Sequence, residues 1–226
     1  MPDPASGFQT IYADDDLLVL NKPAGLLSVP GRGEDKQDCL SRRAQQQYPD
    51  ALVVHRLDMA TSGLMLMARG ADMQRLLSSL FEQREVHKRY VAVVDGHMPD
   101  VASKKHENDD KDNWHLIDLP IAVDWPRRPL RIIDAEHGKP SQTHWRVISF
   151  DNKTQATRVE LEPITGRSHQ LRVHLKALGH PILGDQLYAP EAVLTKAARL
   201  LLHASALNFV HPASGQPMSF MSLPPF

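Results

Sequence analysis

Apolar positions change their spacing along the chain, and the changes mark out its elements. Leu17, Leu18, Val19 and Leu20 run without a break and stop at Asn21-Lys22-Pro23, with Gly25 behind them. That is the pattern of a buried strand entering a turn. Leu64 to Arg69 (LMLMAR) follows the Gly63 break and predicts another strand, preceded by a short one from Leu52 to Val54. Met73, Leu76, Leu77, Leu80 and Phe81 then fall at i, i+3, i+4, i+7 and i+8. This spacing puts one apolar stripe along a helix. Tyr90 to Val94 (YVAVV) predicts a buried strand, and TQATRVELEP alternates Ala156, Val159 and Leu161 imperfectly against polar residues, again strand-like. Leu171, Leu175 and Leu178 predict a helix from Ser168 to Leu178 that Gly179 stops, and a further helix is expected from Pro190 to about Leu200. LLHASALNFVHP and QPMSFMSL predict two strands joined through Pro212 and Gly215. Residues 99 to 113 (PDVASKKHENDDKDN) have no apolar residue beyond Val101 and Ala102 and are expected to form an exposed hydrophilic loop. Strands interrupted by irregularly placed helices predict an α+β fold with a largely antiparallel sheet.

Composition narrows the class. The 226 residues, 42% hydrophobic and 23% charged, describe a globular chain with enough core for one large domain or two small ones. The single cysteine, Cys39, cannot form an internal disulfide or a multi-cysteine zinc site and points to the cytoplasm. The opening MPDPASGFQT has neither a positive cluster nor an apolar core, and no later run approaches the length of a membrane helix, so neither export nor a membrane partner is expected. The net charge of -1 argues against a polyanionic partner, but its distribution reopens the question. Residues 1 to 54 hold five basic and eight acidic side chains, whereas residues 127 to 146 hold five and two. A nucleic-acid protein needs a basic surface where the ligand lies, not a basic total.

Four stretches carry more chemistry than a core requires: NKPAGLLSVP at 21–30, HRLDMATSG at 55–63, KRY at 88–90 and GRSHQLRVH at 166–174. Taken singly each has an ordinary reading. Arg56-Leu57-Asp58 alone is a solvated pair, and a tyrosine heading a strand belongs to the core. His169, His174 and His180 are five and six residues apart, which does not match the i, i+4 spacing of helical metal ligands. Together they weigh more. Asp58 lies between a strand and Thr61-Ser62-Gly63, on a turn where a carboxylate faces ligands. Arg167, just after a Thr-Gly break at a helix start, is the kind of cation that would hold such a carboxylate ionised.

With these motifs the sequence resembles the RluA family of RNA pseudouridine synthases over nearly its whole length. NKPAGLLSVPG at 21–31, HRLDMATSG at 55–63, KRY at 88–90 and GRSHQLRVHLKALGHPILGD at 166–185 match the family's four motifs in order. DWPRRP at 124–129, GKPSQT at 138–143 and SVPGR at 28–32 resemble its dual-specificity member. The resemblance implies a single catalytic domain over 1–226, without the S4-like domain that many relatives carry, built on a twisted, mostly antiparallel mixed sheet with flanking helices and split by a catalytic cleft. It implies isomerisation of uridine to pseudouridine in a transfer-RNA anticodon stem-loop and in 23S ribosomal RNA, with no cofactor and no metal, by a monomer. Asp58 would be the catalytic carboxylate, Tyr90 would lie against the flipped uracil, and Arg167 would pair with Asp58. Arg56 would fill the space left by the extruded base, with His55, Leu171 and Arg172 also on the substrate. Base flipping is what the chemistry requires, because a stacked uracil cannot turn about its glycosidic bond. Two rival readings are a non-catalytic RNA-binding factor, which gains nothing from a carboxylate facing phosphate, and a hydrolase, for which no nucleophile elbow or metal pattern is present.

Overall fold

The Leu17–Leu20 run is fully buried, as a strand covered on both faces must be. It belongs to a computed structural model that describes residues 7–99 and 114–226. In chain order the elements are β1 (Gln9–Ala13), β2 (Leu17–Lys22), α1 (Leu40–Gln47), β3 (Ala51–Val53), β4 (Ser62–Arg69), α2 (Ala71–Glu82), β5 (His87–Asp95), β6 (His115–Asp118), β7 (Ile121–Val123), β8 (Arg131–Ile133), β9 (Gln142–Asp151), β10 (Ala156–Pro163), α3 (Gln170–Ala177), α4 (Glu191–Leu194), β11 (Leu202–Val210) and β12 (Pro217–Met221). The chain divides into two compact units, one of residues up to Lys88 with 202–226, the other Arg89–Leu201. Of the expected hydrophilic loop at 99–113, all but Pro99 lies outside the described residues.

In the first unit β2 pairs antiparallel with β1 and β4, β3 adds antiparallel to the far end of β4, and β11 joins β4 in parallel through His203↔Ser62 and Ala204↔Gly63. The β11–β12 hairpin expected around Pro212 and Gly215 is present. Leu17, Val19, Leu64, Leu66 and Ala68 meet Met73, Leu77, Leu207 and Phe209 in one core. Helix α2 forms where its spacing predicts, but its stripe is narrower than expected. Met73 and Leu77 are buried while Leu76, on the stripe's edge, is 49% exposed. Gly63 is required where it stands: its φ is +112°, and an added Cβ would lie 2.3 Å from the carbonyl oxygen of Ala204 on the parallel neighbour.

In the second unit β10 lies between β5 and β9, with β6 on the outer edge of β9, all antiparallel, and β7 and β8 form a separate hairpin. Helix α3 closes as its Gly179 predicts: the Gly179 N–H bonds Lys176 O and the His180 N–H bonds Leu175 O, the paired bonds of a Schellman end. The expected helix from Pro190 to about Leu200 is corrected to a single turn, α4. The chain beyond it is drawn out to the backbone instead, the Leu201 N–H bonding Leu183 O and Leu201 O accepting from Val93. No helix among the described residues is long and apolar enough to cross a membrane.

Candidate active site

Asp58 lies on the turn that enters β4, its carbonyl accepting the Thr61 N–H at 3.1 Å. The residues on either side of it are both pinned. Ser28 Oγ donates to Leu57 O at 2.7 Å and accepts the Leu57 N–H at 3.0 Å. Met59 O accepts from the Gly25 N–H at 2.8 Å and from Lys22 Nζ at 3.1 Å. Lys22 itself is fully buried, and the same ammonium donates to Pro23 O and Leu26 O. Three donors thus meet three carbonyls, which is how a buried ammonium is accommodated. The result is a half-exposed carboxylate between two fixed main-chain anchors. Lys22 and Ser28, both in the Asn21 to Pro30 stretch, are the residues that sequence reasoning left without a task.

The neighbours of Asp58 divide. Arg56 is exposed. His55 turns inward: where the β3–β4 ladder ends at Val53↔Met67, the imidazole Nε2 takes the next free amide, accepting the Leu66 N–H at 2.9 Å, and the ring stacks on Phe81 at 4.5 Å. Burial and the Lys88 charge push the imidazole down to about 3 from its ordinary 6.5. Between those values the unfolded chain holds a proton that the folded ring refuses, so stability falls as pH drops through the window, by at most about 1.4 kcal/mol per pH unit. His55→Gln is expected to flatten the acid limb of a Tm-against-pH curve between about pH 6 and 4; parallel curves for wild type and variant would contradict this placement. At the exit of the turn, Ser62 Oγ and Ser222 Oγ lie 2.8 and 3.1 Å from the two nitrogens of buried His203, tying the start of β4 to the segment after β12.

In the second unit Tyr90 is half-buried on β5, opposite Leu161 of β10. The segment Thr165 to Arg167 is held by Gln170, whose four hydrogen-bonding positions are all used. Its Oε1 accepts the Thr165 hydroxyl at 2.7 Å and the Arg167 N–H at 3.0 Å, and its Nε2 donates to Gln142 O at 2.9 Å and Thr143 Oγ1 at 3.0 Å. The backbone of Arg167 is therefore fixed while its side chain is exposed. His169 takes a left-handed conformation (φ 59°) at the start of α3, which costs a non-glycine residue on the order of 1 kcal/mol. Its Nδ1 lies 2.6 Å from the Tyr188 hydroxyl, which also accepts the Arg131 N–H.

Leu171 and Arg172 face inward. Arg172 is 4% exposed and makes a two-pronged bond to Asp185, Nε to Oδ2 at 2.8 Å and Nη2 to Oδ1 at 2.6 Å. Asp185, fully buried, also accepts the N–H groups of Leu187 and Tyr188. His174 Nδ1 and Nε2 meet Thr143 Oγ1 and Leu119 O, and His180 Nδ1 meets Asp95 O, so the three histidines serve separate hydrogen bonds. Among the described residues no group of three His, Cys, Asp or Glu is placed to hold a metal ion.

Residues 16–177, a span that holds the Asp58 turn, Tyr90 and the start of α3, match the RNA pseudouridylate synthase family. The chain belongs to this family. The synthase is 50% identical over 210 residues to the dual-specificity RNA pseudouridine synthase RluA of Escherichia coli (strain K12), covering 93% of this chain and 90% of that relative. To the protein of the same description in Vibrio vulnificus (strain CMCP6) it is 48% identical over 209 residues, covering 91% and 79%. The solved structure of human RNA pseudouridylate synthase domain containing 1 matches with a TM-score of 0.77 at 27% identity, covering all of the synthase and 87% of the human chain. Human RNA pseudouridylate synthase domain containing 4 gives 0.71, also at 27% identity, over 96% and 88%. The α+β fold with a mixed, mostly antiparallel sheet is the fold of these relatives.

Proposed function

We propose that this RNA pseudouridine synthase acts on two RNA classes, a uridine in a transfer-RNA anticodon stem-loop and one in 23S ribosomal RNA, using Asp58 as its catalytic carboxylate. The reaction breaks the N1–C1′ bond, forms the C5–C1′ bond, moves a proton off C5 and places one on N1. It is redox-neutral and conserves every atom of the RNA, so it calls for no electron carrier, and the reading includes neither cofactor nor metal. The observation that carries it is the Asp58 turn: a half-exposed carboxylate with its two neighbours fixed by Ser28, Gly25 and Lys22. A nucleophile gains rate from being held in place before its substrate arrives.

Tyr90 supplies a ring for the extruded uracil, Arg167 a cation for Asp58, and Arg56 an exposed side chain to occupy the vacated stack. His55, Leu171 and Arg172 shape the protein beneath the RNA instead of touching it, since each is turned into the fold. The two units act as one catalytic domain, in a monomer working in the cytoplasm. Mapping pseudouridine in RNA from cells with and without the protein tests the two substrate classes. One position in each class should revert to uridine, and loss in one class alone would reduce the reading to a single specificity.

Tyr90→Phe separates ring from hydroxyl. If the hydroxyl helps remove the C5 proton, product formation should fall about 10²-fold while RNA affinity stays within about threefold. Equal losses in both would leave the ring a packing role only.

A further inference from the structure

The DWPRRP stretch at 124–129 is not absorbed by the reaction. It forms the tip of the β7–β8 hairpin, and the tip is rigidly built. Buried Asp124 accepts Arg127 Nε at 2.7 Å, and backbone bonds run from Asp124 N to Leu130 O, Arg127 N to Asp124 O and Leu130 N to Arg127 O. The hairpin is seated through its Ile121, Leu130 and Ile133, which pack with Val173 and Tyr188. On this base stands Trp125, 68% exposed, with the Arg128 guanidinium 3.4 Å from its ring centre. The other two tryptophans are treated differently: Trp145 is buried, and Trp114 lies between Arg89 and Arg146 at 4.3 and 4.7 Å.

Charge on the tip is left over as well. Arg127 is neutralised by Asp124, but among the described residues Arg128 and Arg131 have no carboxylate partner, and the Arg131 guanidinium donates to the carbonyls of Pro129 and Leu130. An aromatic face held in water beside an uncompensated guanidinium fits a ligand that offers a flat π-surface next to a negative charge. A nucleotide with an unpaired base is such a ligand; duplex RNA, whose bases are stacked on one another, is not.

We infer that the Trp125–Arg128 tip is a second RNA-contact site, stacking an unpaired base of the substrate on Trp125 and placing its phosphate on Arg128. This rests on the reading that the chain acts on RNA, and it names an element that selects loops over helices. It adds to binding without touching the reacting atoms. Trp125→Ala should therefore raise KM and leave kcat at saturating RNA unchanged.

The test uses the full chain, a labelled RNA hairpin with an anticodon-type loop, and a blunt RNA duplex as control. Trp125→Ala should weaken hairpin binding roughly five- to 150-fold, the range of one lost stack, and leave duplex binding unchanged. Trp125→Phe should restore most of the loss. Arg128→Ala should weaken binding and reduce the slope of log affinity against log salt by about 0.7. Hairpin affinity equal to wild type for both alanine variants overturns the inference. An equal loss on hairpin and duplex overturns the stacking role. Pseudouridine formation by the wild type is measured in parallel: if it is absent, the proposed reaction fails, while the binding comparison still decides the role of the tip.

Discussion

Asp58→Asn is expected to keep the Tm and the RNA affinity of the synthase close to wild type while cutting pseudouridine formation by at least about 10⁴-fold, the scale on which loss of a nucleophile is felt. Folding survives because the main chain of Leu57, Asp58 and Met59 has hydrogen bonds of its own that the substitution leaves in place: Ser28 holds Leu57, Lys22 and Gly25 hold Met59, and Thr61 bonds Asp58 O. Asparagine matches aspartate in size and removes only the charge. Turnover near the wild-type rate would dismiss Asp58 as the catalytic carboxylate. Loss of folding would instead mean that the carboxylate itself holds the turn.

The second large effect lies in the fold. Arg172→Met leaves fully buried Asp185 without the guanidinium that bonds both its oxygens, and breaking a buried pair in this way costs about 3–5 kcal/mol. For a chain of this size that corresponds to a fall in Tm of roughly 10 °C. Arg172→Lys should lie between the two, since a point charge cannot reproduce the two parallel bonds. Because Arg172 is buried, the salt dependence of RNA binding by the folded Met variant should match wild type. An unchanged Tm with a smaller salt slope would return Arg172 to the RNA surface and contradict the structure.

Elements whose own residues decide their burial were legible in the chain. The Leu17–Leu20 and Leu64–Arg69 runs, the YVAVV strand and the Gly179 stop each became what local pattern dictates. Helix α1 was not, because LSRRAQQQ buries only Leu40, Ser41 and Ala44, too narrow a stripe to show a period. Strand β9 was hidden similarly: the pairing irregularity opposite Arg158 and Val159 disturbs its alternation, and Ile148 is exposed. The helix expected to reach Leu200 was overruled by backbone pairing to Leu183 and Val93 that no local signal announces.

At the site, the turn character of Asp58 was readable from Thr61-Ser62-Gly63. Its supports were not, because Lys22 and Ser28 act 37 and 29 residues away. The inward direction of Arg172 is set by Asp185, 13 residues on, and the inward turn of His55 by the end of the β3–β4 ladder. Local sequence names the reactive groups, and tertiary partners determine which of them face the substrate.

The claim that this chain isomerises uridine is tested most directly by following the C5 hydrogen. A transfer-RNA anticodon stem-loop carrying tritium at C5 of its uridines is incubated with the wild-type protein, and solvent tritium and RNA mass are recorded. Isomerisation predicts release of one C5 hydrogen for each uridine converted, with the RNA intact and unchanged in mass apart from the exchanged label, and no release from the Asp58→Asn protein. Tritium retained on the RNA, or release accompanied by strand or glycosidic cleavage, would contradict it.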